Sequence, residues 1–206
     1  MISMMAVKVG ERSAWLARIL LVCYFLLSFS LLADDNFQEF YQEGVRLAAA
    51  GQRDDSIRHL QAGLQEDWSD NERRKLLNYL GSLTVRINPE NARLYFYQAI
   101  LTKCSDETEY YRTFVNLGEF YRFQQQWEAA IGACLQVATQ KNAHPSLRYS
   151  AHFNIGRCYL ELQQQSLALQ YFQAAVAAGQ SVAYKFNYQA AEQAAQKLLE
   201  ERKTLP

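Results

Sequence analysis

Residues 152–176 read HFNIGRCYLELQQQSLALQYFQAAV. Before the glutamine run, His152, Gly156 and Tyr159 are spaced four and three apart. After it, Ala168, Phe172 and Ala175 repeat the same interval. That interval puts each triplet on one face of a helix, so the stretch encodes two amphipathic helices joined by a short polar connector. A glycine inside a helix costs about 1 kcal/mol against alanine, so Gly156 needs a steric reason. Two packed antiparallel helices supply one. Small residues sit where the backbones approach, and large ones fill the adjacent grooves.

Three earlier segments repeat this design: residues 40–64 (FYQEGVRLAAAGQRDDSIRHLQAGL), 77–100 (LNYLGSLTVRINPENARLYFYQAI) and 114–138 (FVNLGEFYRFQQQWEAAIGACLQVA). Their glycines, Gly44, Gly81, Gly118 and Gly156, are 37, 37 and 38 residues apart. A fixed period of roughly 20–50 residues marks an array of stacked units, each burying its apolar face on the next. Boundary residues fall between the units. Ser69 with Glu72 and Asp106 with Glu109 have capping-box spacing. Asn88-Pro89 and His144-Pro145 place proline in a first helical turn. Gly51 and Gly179 are read as helix C-terminal glycines. The runs Gln124–Gln126 and Gln163–Gln165 are read as connectors, and Arg73-Arg74-Lys75 as a solvated basic face.

The pattern resembles the tetratricopeptide repeat over about residues 36–179. NIGRCY followed by ALQYFQAAV is similar to the family consensus, as is NLGEFY with WEAAIGACLQVA. The departures are Cys134 at a usual aromatic position, Val137 at a usual small one, Thr84 where tyrosine is common and Glu43 before the first glycine. YFQAAVAAGQ also resembles the helix ending of Sel1-like repeats, whose longer glycine-containing loop is missing. The resemblance implies an all-α fold, a right-handed α-solenoid of about four helix pairs. A further helix at Ala183–Lys203 would cap the last pair, giving nine helices and no sheet.

The first 33 residues stand apart. Lys8, Arg12 and Arg18 precede an uncharged apolar run, ILLVCYFLLSFSLLA, that ends before Asp34-Asp35. The run is shorter than the roughly 20 residues of a spanning helix, and with its basic start it reads as an export signal cut near Ala33. An uncleaved anchor is the alternative. The chain therefore divides into 1–33 (signal or anchor), 34–179 (repeats) and 180–206 (capping helix and tail). The expected location is periplasmic or otherwise exported, or else the inner membrane with the repeats outside the cytoplasm.

A net charge of zero over 206 residues gives no basic excess for nucleic acid. No phosphate-binding loop, nucleophile elbow, dinucleotide fingerprint or zinc-protease motif occurs. His59, His144 and His152 lack metal-ligand spacing, and His152 occupies a core-facing slot. The expected protein is no enzyme and takes no cofactor or metal. Beyond the first 33 residues, Cys104, Cys134 and Cys158 form no Cys-x-x-Cys, and the last two fall on apolar helix faces. The expectation is a scaffold for a protein or peptide partner, touching membrane only through an uncleaved N-terminus. The alternative is a periplasmic chaperone or accessory subunit of broad client range. In the resembling family the first helices of each pair line a concave groove. Asn116 and Asn154, each two residues before the repeat glycine, match its recurrent asparagine, whose amide can hydrogen-bond a ligand backbone. Asn78 lies one residue out of phase. Arg112, Glu119 and Arg157 share that surface by spacing, with Tyr41 and Phe153 as apolar neighbours.

Overall fold

The computed structural model describes residues 36–180 and 189–204. The expected export signal and the expected start of the terminal helix at Ala183 lie outside these residues. Nine α-helices and no strand occur among the described residues: α1 (36–49), α2 (Arg53–Gly63), α3 (Asp70–Thr84), α4 (Pro89–Leu101), α5 (Glu107–Phe123), α6 (Trp127–Ala138), α7 (Pro145–Glu161), α8 (Gln165–Gln180) and α9 (Gln189–Thr204). The chain forms two compact units that meet in sequence between Ser56 and Ile57.

In the first unit, α1 turns back through Gly51 into the start of α2. Gly51 has φ +80°, and its N–H donates to Ala48 while that of Gln52 donates to Leu47. This is a Schellman turn, in which the left-handed residue is most easily glycine. The buried Ser56 hydroxyl donates to the Gly44 carbonyl at 2.7 Å, a link that needs a small polar residue at the position.

In the second unit α3/α4, α5/α6 and α7/α8 pack as antiparallel pairs, α3, α5 and α7 touch in succession, and α9 packs on α8. The glycines are where the pairs close. A methyl group on Gly81 would overlap the Phe96 ring, one on Gly118 the Cys134 sulfur, and one on Gly156 would lie 2.7 Å from Phe172 Cε1. The close approach expected from the sequence is therefore present in all three pairs, and Cys134 takes the place of the ring in the middle one. Its thiol is fully buried and titrates well above the usual range, mainly through burial. On α9, Ala191, Ala195 and Leu198 form the buried face expected of a cap.

Ser69 and Glu72 form the expected reciprocal box at α3. Asn88 and His144 cap the N–H groups of Asn91 and Ser146, with proline next in line. Three expectations need correction. Asp106 caps Thr108 and Glu109, but the Glu109 side chain does not return; it is drawn inward to Arg112 and Asn78. Gly179 is not a C-terminal glycine but a buried residue within α8. The glutamine runs are the expected connectors, and they have a specific geometry: Gln125 and Gln163, each at φ 58°, hold the left-handed place that Gly51 holds in the first turn. The N–H groups of Gln126 and Gln164 then close Schellman bonds to Tyr121 and Tyr159.

The third correction is the basic cluster. Arg73 reaches the carbonyls of Leu64 and Glu66 at the end of α2, and Arg74 the Thr102 carbonyl at the end of α4. Each arginine thus caps the C-terminus of a neighbouring helix, where unpaired carbonyls and the helix dipole favour a cation. Arg74 is only 2% exposed, with its guanidinium 5.1 Å from the Tyr110 ring centre. A run that reads as solvated is in fact a tertiary clamp.

Candidate functional groove

Helix α5 carries Arg112, Asn116 and Glu119 at intervals of four and three, so all three leave the helix on one side. Helix α7 carries Ser150, Phe153, Asn154 and Arg157 in the matching interval. Because α5 and α7 are the first helices of consecutive pairs and touch, these two faces border a common groove of about 320 Å³. Six of the eight residues singled out in the sequence line it: Arg112, Asn116, Glu119, Phe153, Asn154 and Arg157. Val115, Leu147, Tyr149 and Ser150 complete the wall.

The polar groups are held, not loose. Arg112 Nε donates to Glu109 Oε1 at 3.0 Å, which ties the cation to the first turn of its own helix while leaving the side chain half-exposed. Glu119 lies 3.8 Å from Arg122 and is exposed toward the groove's other end. The Arg157 guanidinium is 5.9 Å from the Phe153 ring centre, and Phe153 stacks on Tyr149 at 5.8 Å and 11°. The groove thus has an aromatic wall on α7, a cation on each helix and one carboxylate. Asn116 is half-exposed; Asn154 is buried to 8% exposure and meets the groove from its floor, contrary to the symmetric exposure that their equal spacing suggests.

Two of the expected residues are elsewhere. Asn78 is 2% exposed, and its amide donates to the Glu109 carbonyl and carboxylate, both at 3.3 Å. Its one-residue phase shift is the reason. About 100° of helix rotation carries it from the groove side into the α3–α5 contact, and Tyr79 holds the in-phase position. Tyr41 belongs to the first unit, where its ring stacks on Phe37 at 5.8 Å. Of the residues missed, Ser150 lies four before Asn154 and seven before Arg157, a spacing that marks it for the same face.

No group of three or more metal-ligating side chains converges among the described residues, and no described helix is long and apolar enough to cross a membrane. His152 is turned from the groove against Tyr171, ring centres 5.9 Å apart. Burial, and then the charge of Arg148, lower its pKa.

No family model matches the sequence, and no curated protein is similar to it. Solved structures are. The one from a functional characterisation of Pseudomonas aeruginosa PilF superposes with a TM-score of 0.67 at 20% identity, over 83% of this chain and 71% of that one. A chain of the APC/C hetero-tetramer Cut9–Hcn1 gives 0.62 at 21%, over 79% of this chain but 30% of its own length. A tetratricopeptide repeat protein from Parabacteroides merdae gives 0.57 at 16%, over 81% of this chain and 61% of that one. The all-α repeat architecture inferred from the glycine period is the tetratricopeptide-repeat fold.

Proposed function

We propose that this protein is a non-catalytic scaffold that holds a segment of a protein partner in the groove between α5 and α7. The observation that carries the reading is the convergence of two amides, two guanidinium groups and an aromatic wall on facing first helices. None of these groups is a nucleophile or a matched acid–base pair. An extended peptide would find backbone partners in Asn116 and Asn154, apolar contact on Phe153 and Tyr149, and charge selection between the two arginines and Glu119. The repeats would span residues 34–179, with 180–206 as their cap.

The N-terminal sequence supports an exported site of action, within a cell-envelope assembly. N-terminal sequencing of the protein from envelope fractions should begin near Asp34. Recovery of Met1 on a membrane-embedded form would support the anchor instead. For the groove, a photo-crosslinking amino acid is placed at Asn116 or Glu119, with Gln136 on the opposite side of the pair as control. Crosslinks to one protein from the groove positions alone support the reading. Equal crosslinking from Gln136 contradicts it.

A further inference from the structure

Asn78 on α3 and Glu109 on α5 are buried polar residues that the repeat itself does not require. Asn78 stands three residues before its repeat glycine, and Glu109 nine before the next one. At the following interface, between α5 and α7, the same two places are taken by Val115 and Leu147, which share one apolar core cluster. Two apolar side chains therefore suffice to close such a contact. A buried polar pair is generally no more stabilising than an apolar one, and it must be well paired to be tolerated. What the polar pair adds is a fixed acceptor. Glu109 and Asn78 are 9% and 2% exposed, and the Asn78 amide donates to the Glu109 carbonyl and to its Oε2, both at 3.3 Å. The other carboxylate oxygen, Oε1, accepts from Arg112 Nε at 3.0 Å. Arg112 in turn lines the groove between α5 and α7.

We infer that Asn78 and Glu109 are positioning residues of the groove: α3 clamps the Glu109 carboxylate, and the carboxylate holds the Arg112 guanidinium at the groove wall. This rests on the reading of the groove as a partner-binding surface. An arginine tethered by a mobile surface carboxylate would lose most of its rotamer freedom only when a partner bound, and affinity would suffer for it. Here the carboxylate is itself fixed from the neighbouring helix, so Nε is engaged before a partner arrives. The two Nη groups remain to donate to an acceptor on the bound segment. Asn78, itself outside the groove, thus reaches it through two successive hydrogen bonds.

The test copies the α5–α7 solution into the α3–α5 contact. Asn78→Val combined with Glu109→Leu keeps that contact packed, so helicity and melting temperature should stay near wild type. In NMR spectra of the protein alone, the Arg112 Nε–H signal is assigned by its absence from Arg112→Lys. It should exchange with solvent at least about tenfold faster in the double variant than in wild type. If the double variant misfolds, Glu109→Gln, which keeps the shape and removes the charge, should still speed that exchange. Binding is then measured with the protein captured by the crosslinker at Asn116. The double variant should bind about threefold to tenfold more weakly, and adding Arg112→Ala should bring it only to the affinity of Arg112→Ala alone, because both changes remove one interaction. Equal Nε–H exchange in wild type and variants overturns the inference and leaves the groove reading standing, since no partner enters that measurement. Affinity losses that simply add overturn it too, because they mark a structural role. An Arg112→Ala protein that binds as wild type instead contradicts the groove reading at Arg112, and the inference falls with it.

Discussion

At the residue scale the decisive contacts are a glycine against a ring and a half-buried histidine against Tyr171. Gly156→Ala gains up to about 1 kcal/mol of helix propensity. It also drives a methyl group against Phe172, which is fully buried and has no room to withdraw, and such overpacking costs about 1–3 kcal/mol. Thermal melts should therefore show net destabilisation, and Phe172→Ala should lose more, about 3–5 kcal/mol, by opening a cavity. A Gly156→Ala protein more stable than wild type would remove the steric argument. His152 makes a pH-dependent contribution whose sign follows from its lowered folded pKa. On acidification the unfolded chain takes up the proton first, near pH 6.5, so stability is full above that value and falls as the pH drops toward the folded pKa. Melting temperatures at pH 7.5 and 5.5 should differ more for wild type than for His152→Phe. Asn78 marks the limit of reading at this scale. Its residue type fitted the groove, but one step of helical phase decided its surroundings.

At the element scale the helix ends hold what the sequence concealed. Glutamine is not a turn residue by type, yet Gln125 and Gln163 each stand seven residues after a repeat glycine, as Gly51 does after Gly44. Aligning the copies on that glycine would have revealed the shared left-handed position. A side chain there carries about 1–2 kcal/mol of strain, against which glycine adds about 0.4–1 kcal/mol of unfolded-state entropy. Gln125→Gly and Gln163→Gly should each be stabilising by roughly 0.5–1 kcal/mol in denaturant melts. Gln124→Gly, at a residue with φ −84°, should be destabilising. The adjacent arginines give a second contrast. Arg74→Ala removes a buried charged donor from the end of α4 and should cost about 2–3 kcal/mol. Arg73→Ala, whose donor is partly exposed, should cost less than about 1 kcal/mol. Local pattern did not distinguish them, because the carbonyl that Arg74 caps is 28 residues away in sequence.

At the scale of the whole molecule, the fold was legible because a repeat writes the same packing problem several times. A glycine facing a large side chain, small residues at the crossing and polar connectors recur at one phase, and tertiary contact follows from that phase. Most of the groove was legible for the same reason. Arg112, Asn116 and Glu119 share a helix face by spacing, and the next repeat brings Phe153, Asn154 and Arg157 beside them. The unequal burial of Asn116 and Asn154 was not legible, since it depends on how closely α5 and α7 approach. That inequality reshapes the functional expectation. Asn116 and the two arginines are accessible side chains, whereas removing Asn154 would also disturb packing.

The central claim is that the α5–α7 groove is the working surface, and the binding isotherm of the partner captured from Asn116 tests it most directly. With Asn116→Ala and Arg157→Glu combined, one amide hydrogen bond of about 0.5–1.5 kcal/mol is lost and one charge is inverted. Affinity should fall tenfold or more, with helicity and melting temperature unchanged, while Gln136→Ala binds as wild type. An unchanged affinity in the folded double variant would contradict the claim.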